Sequence, residues 1–143
     1  MTRAVASLVD LGATLGEGPV WVVEDAALWF VDIKQRRVHR YEPAGGSLES
    51  WTAPVPVGWI LPSAEGGFIA GLQDGLYRFT PGVGEFEHIV ATEPDLPGNR
   101  LNDATTDSLG RLWFGSMDDA EAADSGHIYR ADAGGIARVT GGI

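Results

Sequence analysis

The sequence repeats one layout of short apolar segments three times, and this repeat constrains the fold more than any other feature. The second segment of each copy contains Leu28, Phe68 or Leu112, and these positions are spaced by 40 and 44 residues. A later segment in each copy has the order aliphatic, aromatic and arginine, at residues 38–40, 76–78 and 128–130. Units of about 40–45 residues with four strands each are typical of the blades of a β-propeller.

The residues within each copy favour strands. The apolar segments are short, rich in Val, Ile, Trp, Tyr and Phe, and bounded by Gly, Pro or Asp, which is the chemistry of strands and turns. None of them has a sustained helical period. An earlier strand is predicted in each copy, at residues 19–23, 58–62 and 101–106. We therefore predict an all-β fold, a β-propeller with four-stranded blades at approximately residues 14–56, 57–95 and 96–143. A β-sandwich or barrel with hairpins that are alike by accident is the alternative.

The propeller prediction also identifies a core and two flanks. The side chains expected to be buried between sheets are Trp21, Leu28, Phe30, Phe68, Ile69, Leu112 and Phe114. Propellers close into rings of four to eight blades, so three blades in an open arc would expose an apolar face at each end. The sequence therefore predicts either half of a protein or one protomer of an assembly.

Charge and composition exclude several classes of function. Lys and Arg number 10 against 20 Asp and Glu, which gives a formal net charge of −10. Such a surface repels phosphate backbones and anionic lipids, so we expect no nucleic-acid or membrane partner. The absence of cysteine excludes disulfides, zinc–thiolate sites and cysteine nucleophiles. The first eleven residues do not resemble a signal peptide and no apolar run approaches the length of a membrane span, so a cytoplasmic protein is expected.

Few motifs suggest chemistry. There is no Gly-x-Ser-x-Gly elbow, and the glycines around Glu17 lack the third glycine and the helix of a dinucleotide site. The isolated histidines His39, His88 and His127 favour structural or surface roles. Residues 117–126 form an extra acidic loop in the third copy. Long loops often carry function, but the composition of this loop alone favours a mobile, solvent-exposed segment.

Two polar segments stand at the start of predicted innermost strands. One places Glu17 between two glycines, and the other is Asn99–Asp103, which contains Arg100 and Asn102. Innermost strands line the channel of a propeller, so Glu17 and Asn102 would converge near its axis. Carboxylate and amide oxygens suit a hard divalent ion, and Arg100 could bind a substrate oxygen. A solvated turn at Glu17 and a structural pair of Arg100 with Asp103 are equally favoured by the residues alone.

These segments resemble the senescence marker protein, gluconolactonase and luciferin-regenerating enzyme family, particularly its bacterial xylono- and gluconolactonases. The resemblance extends from about residue 14 to residue 143, and its most specific pieces are residues 15–21, 28–33, 99–104 and 107–117. It implies three blades of a six-bladed ring and a divalent-metal-dependent hydrolase that converts sugar lactones to aldonic acids. The metal would be Ca, Zn, Fe, Mn or Mg and would polarise the lactone carbonyl.

The resemblance also implies roles for individual residues. Glu17 would be a metal ligand, Arg100 and Asn102 would orient the lactone, and Asp103 would support their loop. The acidic loop with Asp118, Asp119 and Glu121 would border the mouth of the site, and Asp119 is taken as its substrate-binding residue.

One departure from the family pattern bears on activity. Family members continue past a Gly-Ile like residues 142–143 to an Asn ligand, and then to an Asp that is both ligand and general base. We therefore expect no catalytic base within residues 1–143, and weak or no activity from the isolated chain. A non-catalytic half-propeller or metal-binding module is the alternative. Two copies related by a two-fold axis could also close a six-bladed ring, as a homodimer.

Overall fold

The computed structural model describes residues 4–143, which form twelve strands and no helix, so no helix in this part of the chain could cross a membrane. The first sheet contains β1 (Gly16–Val22), β2 (Ala27–Asp32), β3 (Arg37–Glu42) and β4 (Ser47–Thr52). The second contains β5 (Val57–Pro62), β6 (Phe68–Leu72), β7 (Gly75–Thr80) and β8 (Glu85–Ala91). The third contains β9 (Asn99–Thr106), β10 (Leu112–Asp118), β11 (His127–Asp132) and β12 (Gly135–Gly141).

Each sheet is an antiparallel meander whose strands pair in chain order. The sheets stack face to face, and β5 contacts β1 and β2 on one side and β9 on the other. This is the arrangement of consecutive blades in a β-propeller, with β1, β5 and β9 as the inner strands. The predicted all-β fold of three four-stranded blades is confirmed.

The apolar core lies in two layers between the sheets. Between the first and second sheets, the Trp29 ring lies 4.5 Å from Phe68 and 6.4 Å from Phe79, centroid to centroid. Phe79 is fully buried, and burial of such a side chain stabilises the fold by about 1.5–3 kcal/mol. Between the second and third sheets, Trp59 packs 6.0 Å from Phe114. Each sheet is thus held mainly by its neighbour in the stack.

The predicted core was wrong in its choice of face on the first sheet. Phe68 and Phe114 are buried as expected, and Ile69 and Leu112 are partly buried. Trp21, in contrast, is 52% exposed. The buried face of β2 carries Ala27, Trp29 and Val31. Leu28 and Phe30 therefore point to the other face and are only partly buried. Alternation sets which residues share a face, but both faces of a blade are apolar, so the pattern does not identify the covered one.

Two sheet faces have no neighbouring sheet among the described residues. The Leu28 face of the first sheet consists of Trp21, Leu28, Phe30, Tyr41 and Leu48, which its strand register aligns. The Trp113 face of the third sheet consists of Trp113, Gly115, Ile128 and Arg130. In the repeat, Trp113 occupies the position of the buried Trp29.

Glycine lets the inner strands approach one another closely. A Cβ atom on Gly58 would overlap the carbonyl group of Leu101 on the neighbouring inner strand. Gly18 has a φ of +58° and faces the Gly58 carbonyl, a conformation that favours glycine. The pairing register also shifts in all three inner strands, between Glu17 and Val20, at Gly58, and opposite Gly115. Such bulges redirect side chains and are frequent beside functional sites.

Candidate functional site

The starts of the inner strands and several polar loops meet at one end of the sheets, which we call the upper end. Gly16 pairs with Asp32, and Asn99 pairs with Asp118, so the loops after β2 and β10 lie at the same end as the starts of β1 and β9. The amide of Asp119 donates to the Gly98 carbonyl at 3.0 Å, which fixes the loop after β10 against the start of β9.

Glu17 and Asp103 line one cavity of about 220 Å³ between the inner strands. Its other walls come from residues 18–20 of β1 and 59–61 of β5. Both carboxylates belong to exposed residues, at the positions where β1 and β9 bulge. Arg100 and Asn102 lie outside this lining. A larger cavity of about 620 Å³ lies between the outer strands β8 and β12, away from the inner-strand residues.

The donors around this cavity suit a metal ion in type but not in number. Carboxylate oxygens are the ligands that hard divalent ions prefer. Nevertheless, no group of three or more His, Cys, Asp or Glu side chains within residues 4–143 is placed to hold a metal ion. The described residues therefore do not form a complete metal site by themselves.

Arg100 is buried, with 3% of its surface exposed, and it is linked to two other predicted site residues. Its Nε donates to Asp119 Oδ1 at 2.6 Å, and its Nη1 donates to Asn102 Oδ1 at 2.8 Å. The structure thus joins Arg100, Asn102 and Asp119, the three predicted substrate-binding residues. The alternative pair of Arg100 with Asp103 is absent from the ion pairs of the described chain, and Asp103 Oδ1 accepts the amide of Ala104 instead.

Lys34, which the sequence analysis did not single out, contacts one of the predicted site residues. Its Nζ donates to Asp119 Oδ1 at 2.6 Å, and about 37% of its side-chain surface is exposed. The pKa of Asp119 lies below its ordinary value because the Lys34 ammonium, and then the Arg100 guanidinium, donate to its carboxylate. Asp119 is therefore the shared partner of two cations and not part of a solvated excursion. One signal was available, since Lys34 is the single lysine of the sequence.

Asp32 fixes the loop that carries Lys34 to the segment that leads into Glu17. This buried carboxylate accepts the amides of Thr14 at 2.7 Å and Leu15 at 3.2 Å, and that of Gln35 at 3.1 Å. Burial disfavours the charged form of Asp32, but these amides together outweigh burial and lower its pKa. The backbone before β1 and the turn after β2 are thus held by one ionised group.

The hydrogen bond to Arg100 sets the direction of the Asn102 amide. Because Asn102 Oδ1 accepts from Arg100 Nη1, the Asn102 NH₂ group is directed away from the guanidinium. Asn102 is exposed, so its two N–H groups are available to a ligand. Asn102 is therefore suited to donate hydrogen bonds to acceptor oxygens, and its own oxygen is already engaged.

A second polar cluster, also missed from the sequence, supports this end of the third sheet. Glu93 Oε1 accepts three donors at 2.7 Å each, which are Ser116 Oγ, His127 Nδ1 and Tyr129 OH. Only 4% of the Glu93 side chain is exposed. Burial opposes its ionisation, yet the donors together lower its pKa. A buried carboxylate of this kind is stable only because its acceptor sites are filled.

The same cluster anchors the residue beside Arg100. Asn99 Nδ2 donates to Glu93 Oε2 and to the Ser125 carbonyl, at 2.9 Å in both cases. Ser125 Oγ donates back to Asn99 Oδ1 at 2.6 Å. The start of β9 is thereby tied to the end of the acidic loop. Asp118 orders the other part of that loop, since it accepts the amides of Ala122 and Ala123.

Known proteins are similar to this chain in sequence. The 6-deoxy-6-sulfogluconolactonase of Pseudomonas putida is 30% identical over 142 residues, covering 99% of this chain and 49% of that protein. The L-arabinolactonase of Azospirillum brasilense is 36% identical, covering 88% of this chain and 43% of that protein. The chain thus spans about half the length of these curated relatives.

Solved structures of similar proteins also match this chain over about half of their length. A luciferin-regenerating enzyme superposes with a TM-score of 0.85 at 31% identity, covering 92% of this chain and 47% of that one. A calcium-binding protein, regucalcin, from Agrobacterium tumefaciens superposes with a TM-score of 0.89 at 26% identity, covering 95% of this chain and 46% of that one. The model of the SMP-30/Gluconolactonase/LRE-like region matches residues 15–143, and the chain belongs to this family.

Proposed function

We propose that this chain forms part of a hydrolase of sugar lactones, in which Arg100 and Asn102 orient the lactone. The observation that supports this most directly is the Arg100–Asn102 hydrogen bond, which leaves the exposed Asn102 NH₂ group free as a donor. The carbonyl and ring oxygens of a lactone accept hydrogen bonds. Negative charge develops on the carbonyl oxygen when the ring is attacked, and preorganised donors stabilise that charge.

Asp119 and Glu17 have different roles in this proposal. Asp119 holds Arg100 and offers a carboxylate oxygen to a sugar hydroxyl. Glu17 would contribute one ligand to a divalent ion, whose chemistry is polarisation of the carbonyl. Because the described residues provide no complete metal site, the remaining ligands would come from a further blade or a second copy. The general base would likewise come from outside residues 4–143.

The two uncovered sheet faces are complementary to each other in their repeat positions, so they could pack on a second copy of the chain. Inside the chain, the Trp29 side of the first sheet packs on the Phe68 side of the second. Trp113 and Leu28 occupy the corresponding repeat positions on the two uncovered faces. We therefore propose that the Trp113 face of one copy packs on the Leu28 face of another, and that two copies close a ring. A two-fold axis would satisfy both contacts at once.

The proposed activity is tested with L-arabinono-1,4-lactone, chosen because one relative is an L-arabinolactonase. Acid release is measured at constant pH with Ca, Zn, Fe, Mn or Mg and compared with spontaneous hydrolysis. Faster hydrolysis that disappears with chelator supports a metal-dependent lactonase. Lactone binding without faster hydrolysis favours the binding-module alternative. If the chain neither binds the lactone nor hydrolyses it faster than the spontaneous reaction, both the lactonase proposal and the binding-module alternative are contradicted.

A further inference from the structure

We propose that Lys34 is a positioning residue of the site, acting on Asn102 through Asp119 and Arg100; this inference rests on the proposed lactone-binding function. Lys34 and Arg100 both donate to Asp119 Oδ1, each at 2.6 Å. Arg100 in turn donates to Asn102 Oδ1 at 2.8 Å. The four side chains form one continuous series of charge-assisted hydrogen bonds, which are stronger than neutral ones.

The series crosses from one blade to another, which gives Lys34 a role that Arg100 and Asp119 cannot fill. Arg100 and Asp119 belong to the third sheet, whereas Lys34 lies in the turn after β2 of the first sheet. That turn is fixed by Asp32, which also holds the residues before Glu17. Lys34 therefore sets the position of Asp119 relative to Glu17. Without Lys34, Asp119 keeps its contact with Arg100 but loses this contact with the first blade.

The exposure of the pair decides the size of the expected effect. Lys34 and Asp119 have 37% and 38% of their side-chain surfaces exposed, and pairs of this kind contribute modestly in water. We therefore expect Lys34→Met to weaken lactone binding by roughly two- to fivefold and to leave the fold intact. Lys34→Arg keeps a cation in reach of Asp119 and should restore most of the affinity.

The single lysine allows the contact to be observed without any activity. Reductive methylation with ¹³C-formaldehyde labels amines alone, so Lys34 gives one side-chain signal besides that of the terminal amine. The dimethyl product retains its charge and one N–H donor. Asp119→Asn should shift the Lys34 signal. Glu121→Gln, an exposed change in the same loop, is the matched control and should leave that signal in place.

The Arg100 Nε–H resonance reports whether Lys34 acts beyond Asp119. In ¹⁵N spectra of the full chain, we expect Lys34→Met to shift or broaden this resonance, and Lys34→Arg to return it towards its original position. Calorimetric binding of L-arabinono-1,4-lactone by the same variants should follow the same order. A role confined to local stability would leave the Arg100 resonance unchanged.

The outcomes separate the two proposals. An Arg100 resonance that is the same in Lys34→Met and in the unmodified chain overturns the positioning role, as does equal lactone affinity in the two proteins. If the unmodified chain binds no lactone, the proposed function fails, and the Lys34 and Arg100 signals still decide whether the series of contacts operates.

Discussion

Lys34 in the turn after β2 and Asp119 in the loop after β10 form a 2.6 Å ion pair, although 85 positions separate them in the sequence. The same carboxylate oxygen accepts the Nε–H of the buried Arg100. One oxygen atom therefore joins cations from two blades. The orientation of the proposed ligand-binding groups, Arg100 and Asn102, therefore depends on the spacing of the first and third sheets as well as on their own strand.

Asn102→Asp separates the two sides of the Asn102 amide. A carboxylate still accepts the hydrogen bond from Arg100, but it has no N–H group to offer a lactone. We expect lactone binding to weaken by about tenfold or more, ~1.4 kcal/mol, while the melting temperature is unchanged or higher. Calorimetry and thermal unfolding measure the two effects. Unchanged affinity would show that the Asn102 NH₂ group does not contact the ligand.

Glu17→Gln tests the assigned metal ligand. A neutral amide binds a hard divalent ion more weakly than a carboxylate does, so we expect the metal affinity to fall by about tenfold or more, ~1.4 kcal/mol. Titration against a coloured chelator measures this affinity. Glu24→Gln, an exposed change in the turn at the opposite end of β1, is the control and should have no effect. Equal losses in both variants would indicate a general charge effect.

Glu93→Gln should destabilise the third sheet. The carboxylate accepts hydrogen bonds from four donors. In the glutamine variant the side-chain NH₂ group would face some of these donors, and those hydrogen bonds would be lost. We expect a loss of about 2–4 kcal/mol in the free energy of unfolding, measured with urea. The exposed Glu87→Gln on β8 is the matched control and should change this free energy by less than ~0.5 kcal/mol. A small effect at Glu93 would mean that the cluster rearranges at little cost.

The same carboxylate makes stability depend on pH. The folded pKa of Glu93 lies below its ordinary value of 4.5, so the unfolded chain binds more protons in the acidic range. The stabilisation by ionised Glu93 is complete above that ordinary value and is lost as the pH falls through the folded pKa. The difference in unfolding free energy between the wild type and E93Q should therefore shrink as the pH falls from the ordinary value of 4.5 through the lower folded pKa. A constant difference would show that this ionisation is not linked to folding.

Trp21→Glu tests the proposed contact between two copies. Trp21 is 52% exposed on the Leu28 face, so a charge there should be tolerated by the fold and should block the second copy. We expect sedimentation to show a dimer for the wild type and a monomer for this variant. Val83→Glu changes a residue that is 73% exposed in the turn before β8 and should remain dimeric. A well-folded wild-type monomer at micromolar concentration would contradict the ring of two copies.

The architecture could be predicted from the sequence because the repeat sets the number of sheets and the strands in each. The spacing of Leu28, Phe68 and Leu112 predicted three four-stranded sheets, and these were found. It did not distinguish the buried Trp29 from its partly covered neighbour Phe30, since both faces of a blade are apolar and only the stacking order decides. Local patterns specify a strand and its alternation, whereas the covering sheet is a property of the assembled chain.

The sequence indicated those contacts of the candidate site whose residues lie in segments with a distinctive pattern. Arg100 and Asn102 stand two residues apart in a distinctive segment, and the structure joins them by a hydrogen bond. Lys34 and Glu93 were missed because their partners come from distant segments. A lysine in a turn resembles any solvated residue, and the four donors of Glu93 are spread over residues 99–129. Such contacts form only when sheets and loops are stacked.

The close approach of the inner strands β5 and β9 depends on the missing side chain of Gly58. Gly58 lies at the register shift of β5. A Cβ atom at this position would overlap the Leu101 carbonyl group. Any larger residue would act as a spacer between adjacent inner strands and would move Asp103 outward from Glu17. The residue at this position therefore controls how closely β5 and β9 approach each other, and with them the width of the cavity between the inner strands.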